Sequence, residues 1–331
     1  MKAVQMTALG GPEVLVYGEV ADPEIVSPTQ IKVRLAAAGI NPVDTKICSR
    51  GLFYGAEPPA ILGCDGTGEV VAVGPEVRRF AVGDQVWFCH GGLGREPGNY
   101  AEYSVLEETE AEFAPTQVEP IHAAAGPLAL ITAWEALYDR GRLQEGQTVL
   151  VHAGAGGVGH LAIQLAKLRG ARVITTVSSH DKAELVRSLG ADEVIDYRKQ
   201  DVVAAVNAWT QGRGVDLVFD TVGPAVFRAS IPAVAHYGSL VTLLDPGTDL
   251  DLSEARVRNL SIAFCLMLTP MLRDLPEARR HHGEILRVCS EWMDAGQLRV
   301  IVGDSLPLSQ AAEAHRRVTA GHTTGKIVLV P

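Results

Sequence analysis

The run His152-Ala153-Gly154-Ala155-Gly156-Gly157-Val158-Gly159-His160 constrains the fold of this chain more than any other segment. It follows an apolar strand, Thr148-Val149-Leu150-Val151, and opens a segment in which Val158, Leu161, Ala162, Leu165 and Leu168 recur at helical spacing. Glycines between a strand and a helix let the backbone turn tightly and approach a ligand closely. The helix N-terminus then offers N–H groups and a partial positive charge to a diphosphate. The strand–glycine–helix context is what gives the glycine pattern its meaning. It reads as a dinucleotide site built on Ala155, Gly156, Gly157 and Val158.

The 331 residues favour two domains, and a hydrophobic content of 47% is enough to build their cores. A formal charge of -10 with no basic stripe excludes a nucleic-acid surface. The five cysteines, at 48, 64, 89, 265 and 289, are scattered and show no CxxC spacing. Reduced thiols in a cytoplasm are therefore expected. Met1-Lys2-Ala3-Val4 leads straight into a strand-like segment without a signal-peptide core. The apolar run from Leu260 to Leu268 is too short to span a bilayer, so no membrane partner is expected.

Two textures divide the chain. Up to about residue 120, short strands such as Gln30–Leu35, Gly68–Gly74 and Asp84–Phe88 alternate with Gly and Pro turns, which predicts a β-rich domain. From Ile121 onward strands and helices alternate: strand 148–153, helix 157–169, strand 172–177, helix 181–189, strand 193–197, helix 200–209 and strand 215–220. A helix near 224–235 and strand Ser239–Leu244 follow, and Leu260–Leu268 reads as a further buried strand or a subunit-pairing edge. The last elements are a helix near 277–295 and, after a further helix, a strand ending at Val330. Val- and Ile-rich continuous strands are what a parallel sheet covered on both faces requires. The expected fold class is α/β. A β-rich domain, 1–122, is completed by 270–331, and a doubly wound parallel-sheet domain spans 123–269.

The end of the second strand bears on the cofactor. A carboxylate there accepts from the ribose 2′-hydroxyl of NAD, but this chain places Val177 at that point, followed by Ser178, Ser179 and Lys182. Tyr197 ends the next strand nearby. Donors without an acid suit a ribose phosphate, so NADPH is expected in preference to NADH. Asp181 lies past the strand and reads as a helix cap.

Several motifs taken together resemble the zinc-independent quinone oxidoreductase branch of the medium-chain dehydrogenase/reductase superfamily. They are Ala38–Asp44, Gly63–Gly68, Gly83–Val86, Leu130–Leu137, the glycine loop, Asp220–Gly223 and Gly325-Lys326. The resemblance implies a GroES-like substrate domain joined to a Rossmann domain, an active site in the cleft between them, NADPH as cofactor, and a homodimer. It assigns cofactor contacts to Asn41, Thr132, Gly156, Val158, Ser178, Lys182, Tyr197 and Val222, with Lys326 approaching from the returning C-terminal segment.

Metal-dependent relatives hold zinc with Cys and His near the first two motifs, where this chain has Asn41 and Cys64. No bound metal is expected, because an amide is a poor zinc ligand and one thiolate is not a ligand set. The adjacent pairs Cys89-His90 and His281-His282 are a poor start for a tetrahedral site. Activation of the acceptor then falls to hydrogen bonds.

The catalytic candidates are Asn41, to orient the nicotinamide ribose or the substrate oxygen; Asp44, as loop organiser or proton relay; and Lys46. An equal reading of Asp44 is a turn carboxylate capping backbone N–H groups. Close relatives often carry tyrosine at the position of Lys46, which can instead donate to an enolate or hydroquinone oxygen. Phe53 and Tyr54 are candidates for the substrate pocket, and Leu244 for its narrowing. The expected reaction is hydride transfer to a quinone or α,β-unsaturated carbonyl. Two alternatives stay open: an enoyl or 2-alkenal double-bond reductase, and a non-catalytic NADPH-binding sensor or structural protein.

Overall fold

The Val- and Ile-rich runs between residues 148 and 242 form a parallel sheet in a computed structural model of the chain, which describes residues 1–321 and 323–331. Its six strands lie in the order Glu193–Asp196, Arg172–Val177, Thr148–Val151, Val215–Asp220, Val234–Thr242 and Ser261–Phe264, and every pair is parallel. This is the doubly wound order, in which the chain reverses direction across the sheet between its first and fourth strands. Ile174, Leu150, Val218 and Leu240 stand side by side in register and are fully buried. Helices Val202–Trp209 and Pro224–Ser230 cover that row with Val206 and Phe227. Helix Gly159–Leu168 buries Leu161, Ala162, Ile163 and Leu165 and packs on the strands Thr148–Val151 and Arg172–Val177. Truncating one such side chain to alanine costs about 2–5 kcal/mol.

This sheet and its helices make one compact unit, Leu130–Met267; the other is Met1–Ala129 with Leu268–Pro331. The first boundary falls later than the expected 122/123. Residues 123–129 stay with the β-rich unit because helix Pro120–Ala124 packs on its strands and Leu128 N–H donates to the Asp65 carboxylate at 2.8 Å.

In the β-rich unit a seven-stranded sheet contains Gln30–Gly39, whose Ile31, Val33 and Leu35 point into a core with Val70, Phe80, Val86, Phe88 and Leu106. The period of two along that strand is the alternation its sequence encodes. The C-terminal strand Lys326–Val330 pairs antiparallel with it, Val328 opposite Gly39, so the chain end does return to the first domain.

Four local readings need correction. The stretch read as strands and turns before residue 120 holds a nine-residue helix, Pro42–Arg50. The helix near 224–235 ends at Ser230, one 3-10 turn follows, and the next strand starts at Val234 rather than Ser239. Tyr237 takes a φ of 62° inside that strand, and the register jumps from Val215–Val234 to Leu217–Ser239. The sequence pattern is thereby broken where the strand itself continues. Within Leu260–Leu268 only Ser261–Phe264 is strand, and it is the sheet's outer edge with Phe264 61% exposed, not a buried interior strand. Helix His180–Ser188 is capped by Ser179, whose side chain accepts from Lys182 N–H; Asp181 is exposed in its first turn.

Candidate active site

The glycine loop leaves strand Thr148–Val151 at the reversal point of the strand order, with Arg172–Val177 on one side and Val215–Asp220 on the other. Ligands of open α/β sheets bind at this position, outside the carboxyl ends of the strands. Both neighbours hold the loop. Ala153 N–H donates to Thr176 Oγ1 at 3.0 Å, and Thr221 Oγ1 donates to the His152 carbonyl at 2.9 Å. His152 is buried, which pushes its pKa down to about 4, and its neutral ring lies 2.8 Å from Ser230 Oγ. A Cβ on Gly154 would lie 2.0 Å from Thr175 Oγ1, and one on Gly159 2.3 Å from the Ala153 carbonyl. Those two glycines are required by packing. Ala155 is buried, whereas Gly156, Gly157 and Val158 are half-buried just before the first turn of helix Gly159–Leu168. That is the part of the loop a diphosphate can approach.

At the end of the second strand Val177 is buried and pairs in register with Asp196. Ser178 is half-buried, Ser179 exposed and Lys182 half-buried. The Ser179 oxygen serves the helix cap, at 3.4 Å from Lys182 N. Tyr197 is 52% exposed. Two hydroxyls, a phenol and an amine, with no carboxylate at position 177, form a donor set that fits a ribose phosphate.

Beyond the fourth strand the buried Asp220 carboxylate accepts from Val222 N–H at 2.9 Å, Gly223 N–H at 3.1 Å and Thr242 Oγ1 at 2.9 Å. This fixes Val222 in an exposed turn whose Gly223 has a φ of 127°. Leu244 packs there: a Cβ on Gly223 would be 3.2 Å from its Cδ1. Thr132 is buried on helix Pro127–Trp134.

In the β-rich unit Asn41, Asp44, Lys46, Phe53, Tyr54 and Lys326 fall into three groups. Asn41 is the N-cap of helix Pro42–Arg50, with Pro at the first helical position and Asp44 at the third. Asp44 Oδ2 accepts from Asn41 N–H at 2.8 Å and from Tyr100 OH at 2.8 Å. His315 Nε2 is 3.2 Å from the same phenol, and its Nδ1 is 3.9 Å from Cys48 Sγ. All of these side chains are buried. Burial pushes Asp44 up to about 7, against the opposing pull of its two donors. The carboxylate is thus a helix-capping group, one of the two readings its sequence allows.

Asn41 Nδ2 donates to Asp65 Oδ2 at 2.9 Å, and Lys326 Nζ donates to Asn41 Oδ1 while lying 3.7 Å from Asp65. Lys326 therefore brings a buried cation to Asn41 and Asp65. Lys46 is half-buried one turn along the helix, and burial together with the charge of Arg50 lowers its pKa.

Phe53 and Tyr54 share a single 3-10 turn and are each about one-third exposed. Tyr54 OH donates to the Met271 carbonyl at 2.6 Å, and the Arg95 guanidinium stands 4.1 Å from its ring. Among the described residues no group of three or more His, Cys, Asp or Glu side chains is arranged to hold a metal.

The sequence reading missed Thr176, Asp220, Asp65, Tyr100 and His315, which position the candidates. Asp65 and Asp220 stood within the quoted motifs, Asp65 directly before Gly66 and Asp220 three residues before Gly223. Nothing local marks Tyr100 or His315, whose partners are 56 and 215 residues away along the chain.

Residues 27–116 match the alcohol dehydrogenase GroES-like domain, and residues 189–329 match a domain described as zinc-binding dehydrogenase. The chain is 37% identical to a quinone oxidoreductase of Pseudomonas aeruginosa, covering 100% of this chain and 99% of that protein. It is 32% identical to a 2-haloacrylate reductase of a Burkholderia species, covering 97% and 96%. Among solved structures it is similar to the Escherichia coli quinone oxidoreductase complexed with NADPH, with a TM-score of 0.88 at 29% identity over 100% of both chains.

Proposed function

Because this chain belongs to the quinone oxidoreductase family of the medium-chain dehydrogenase/reductase superfamily, we propose that it is an NADPH-dependent oxidoreductase that reduces a quinone or another α,β-unsaturated carbonyl without a metal. The observation that carries this reading is the end of strand Arg172–Val177, where the acid that NAD would need is replaced by a buried valine and a set of donors. The similar enzyme from Escherichia coli complexed with NADPH supports the same cofactor here.

When bound, the nicotinamide supplies the hydride. The half-buried backbone of Gly156–Val158 and the helix behind it receive the diphosphate. Ser178, Ser179, Lys182 and Tyr197 hold the 2′-phosphate, while Thr132, Val222 and Leu244 flank the nicotinamide end. Hydride addition to a conjugated acceptor leaves an oxyanion, which takes one proton to complete the two-electron reduction. Lys46 is the donor to that oxygen: burial and Arg50 ease its proton loss, and an ammonium stabilises the negative charge as it develops. Asn41, Asp44 and Lys326 are positioning residues, since their polar atoms hold one another and Asp65. Phe53 and Tyr54 contribute apolar surface to the substrate pocket.

The 2-haloacrylate reductase relative favours a second reading, reduction of a conjugated carbon–carbon double bond, which differs only in the acceptor. The edge strand Ser261–Phe264 is the surface on which two copies pair into a homodimer. Five unbridged, buried cysteines fit a reducing cytoplasm. No helix of the described residues is long and apolar enough to cross a membrane.

Replacing Lys182 by Glu tests the cofactor assignment. Loss of a charge-assisted contact of about 2 kcal/mol weakens NADPH binding by roughly thirtyfold while leaving NADH nearly unaffected. Equal losses for both cofactors would refute it.

A further inference from the structure

Ala153 opens the glycine loop with a φ of 50°, in the left-handed region that a residue with a Cβ seldom enters. Such a conformation persists where its surroundings fix it from several sides. Here Gly156 N–H donates to the Ala153 carbonyl at 2.9 Å, and Gly154 N–H donates to the Thr176 carbonyl at 3.0 Å. The remaining hold is on Ala153 N–H, which donates to Thr176 Oγ1. That oxygen belongs to a line of three buried side chains, Thr176, His152 and Ser230, which the proposed reaction leaves unused.

Hydrogen-bond chemistry fixes where each proton of the line lies. Ser230 Oγ is 2.6 Å from the Val226 carbonyl, which can only accept, so the single serine proton points there. His152 Nε2 is 2.8 Å from the same serine oxygen and must carry a hydrogen, since two lone pairs would otherwise face each other. Burial lowers the pKa of His152 to about 4, so at neutral pH the ring has one N–H and its Nδ1 is bare. Thr176 Oγ1 lies 3.4 Å from Nδ1 and turns its proton toward it. A lone pair of that hydroxyl is then left for Ala153 N–H. The hydrogen bonds run one way, from Ala153 through Thr176, His152 and Ser230 to the Val226 carbonyl. They tie the loop to strand Arg172–Val177 and to helix Pro224–Ser230.

We infer that His152 is a positioning residue for the dinucleotide: as the Nε2–H tautomer seated on Ser230, it aims Thr176 at Ala153 N–H and so holds the turn that presents Gly156–Val158 to the diphosphate. The role rests on the cofactor assignment above, whereas the tautomer is a property of the free protein.

Nitrogen-15 NMR of the imidazole rings, with His152→Phe to assign the signal, reads the tautomer without cofactor. A proton on Nε2 and a bare Nδ1 are expected; a proton on Nδ1 would overturn the relay. Calorimetric titration then compares NADPH with adenosine 2′-monophosphate, which carries the ribose phosphate and no diphosphate. The proteins are wild type, Thr176→Val, Thr176→Ser and His152→Phe. Thr176→Val and His152→Phe are expected to weaken NADPH binding roughly tenfold and to leave binding of the monophosphate unchanged. Thr176→Ser keeps the hydroxyl and restores NADPH binding. A merely structural role would weaken both ligands together. That result, unchanged NADPH binding in Thr176→Val, or no recovery in Thr176→Ser would overturn the positioning role. A wild type that fails to bind NADPH would overturn the cofactor assignment and the role with it, and would leave the measured tautomer standing.

Discussion

Asp44 stands at the third position of helix Pro42–Arg50 with its carboxylate fully buried, one oxygen held by Asn41 N–H and Tyr100 OH and the other without a partner. Its pKa of about 7 in the folded chain lies above the unfolded value of about 3.9. Between those two values the folded state binds the proton that the unfolded state has released. Stability therefore falls as pH rises through that window, and the loss is complete above pH 7. The full gap is on the order of 4 kcal/mol. His152 and His315 act in the opposite sense. Burial lowers both to about 4, so their cost appears as pH falls below the ordinary histidine range. Replacing Asp44 by Asn keeps an acceptor for both donors and removes the titration. Urea unfolding at pH 5 and pH 8 is then expected to show the variant gaining on wild type at the higher pH. A difference that does not change with pH would contradict the buried-cap account.

Elements were legible in the sequence where their cause is local. The parallel strands and the glycine loop are written in consecutive residues, and Arg172–Val177 and Val215–Asp220 have the bounds that the pattern predicts. Helix Pro42–Arg50 was missed although Asn41, Pro42 and Asp44 spell an N-cap, a first-position proline and a third-position acid. Strand Val234–Thr242 was shortened because Tyr237 turns to positive φ within it. The Thr176–His152–Ser230 line was invisible, since Ser230 comes 78 residues after His152 and only folding brings them together. Two predictions belong at this scale. Gly159→Ala places a Cβ against the Ala153 carbonyl, a backbone atom that cannot move aside, and costs about 1–3 kcal/mol in chemical unfolding. Gly156→Ala, whose Cβ would meet the same oxygen at 3.1 Å, is the milder control and should lose less. Phe264→Lys puts a charge on the exposed edge strand through which we propose two copies pair, and is expected to give a monomer in light scattering at micromolar concentration where the wild type gives a dimer. An unchanged mass would remove that edge from the interface.

For the whole molecule, the motifs fixed the family and the α/β class because glycine loops and strand–helix alternation survive reading in one dimension. The site resisted the same reading because its supports are distant in sequence: Asp65 with Lys326, and Tyr100 with His315. In the proposed reaction a donor-lined phosphate subsite, the glycine loop and the Lys46 ammonium together support metal-independent reduction of a conjugated acceptor by NADPH. The most direct measurement is oxidation of NADPH, followed at its nicotinamide absorbance, by chelator-treated protein against a panel of quinones and enones, with NADH in parallel. Turnover with at least one acceptor class is expected, faster with NADPH than with NADH and unchanged by chelation. Tight NADPH binding without turnover of any acceptor, or activity that disappears with the chelator, would contradict it.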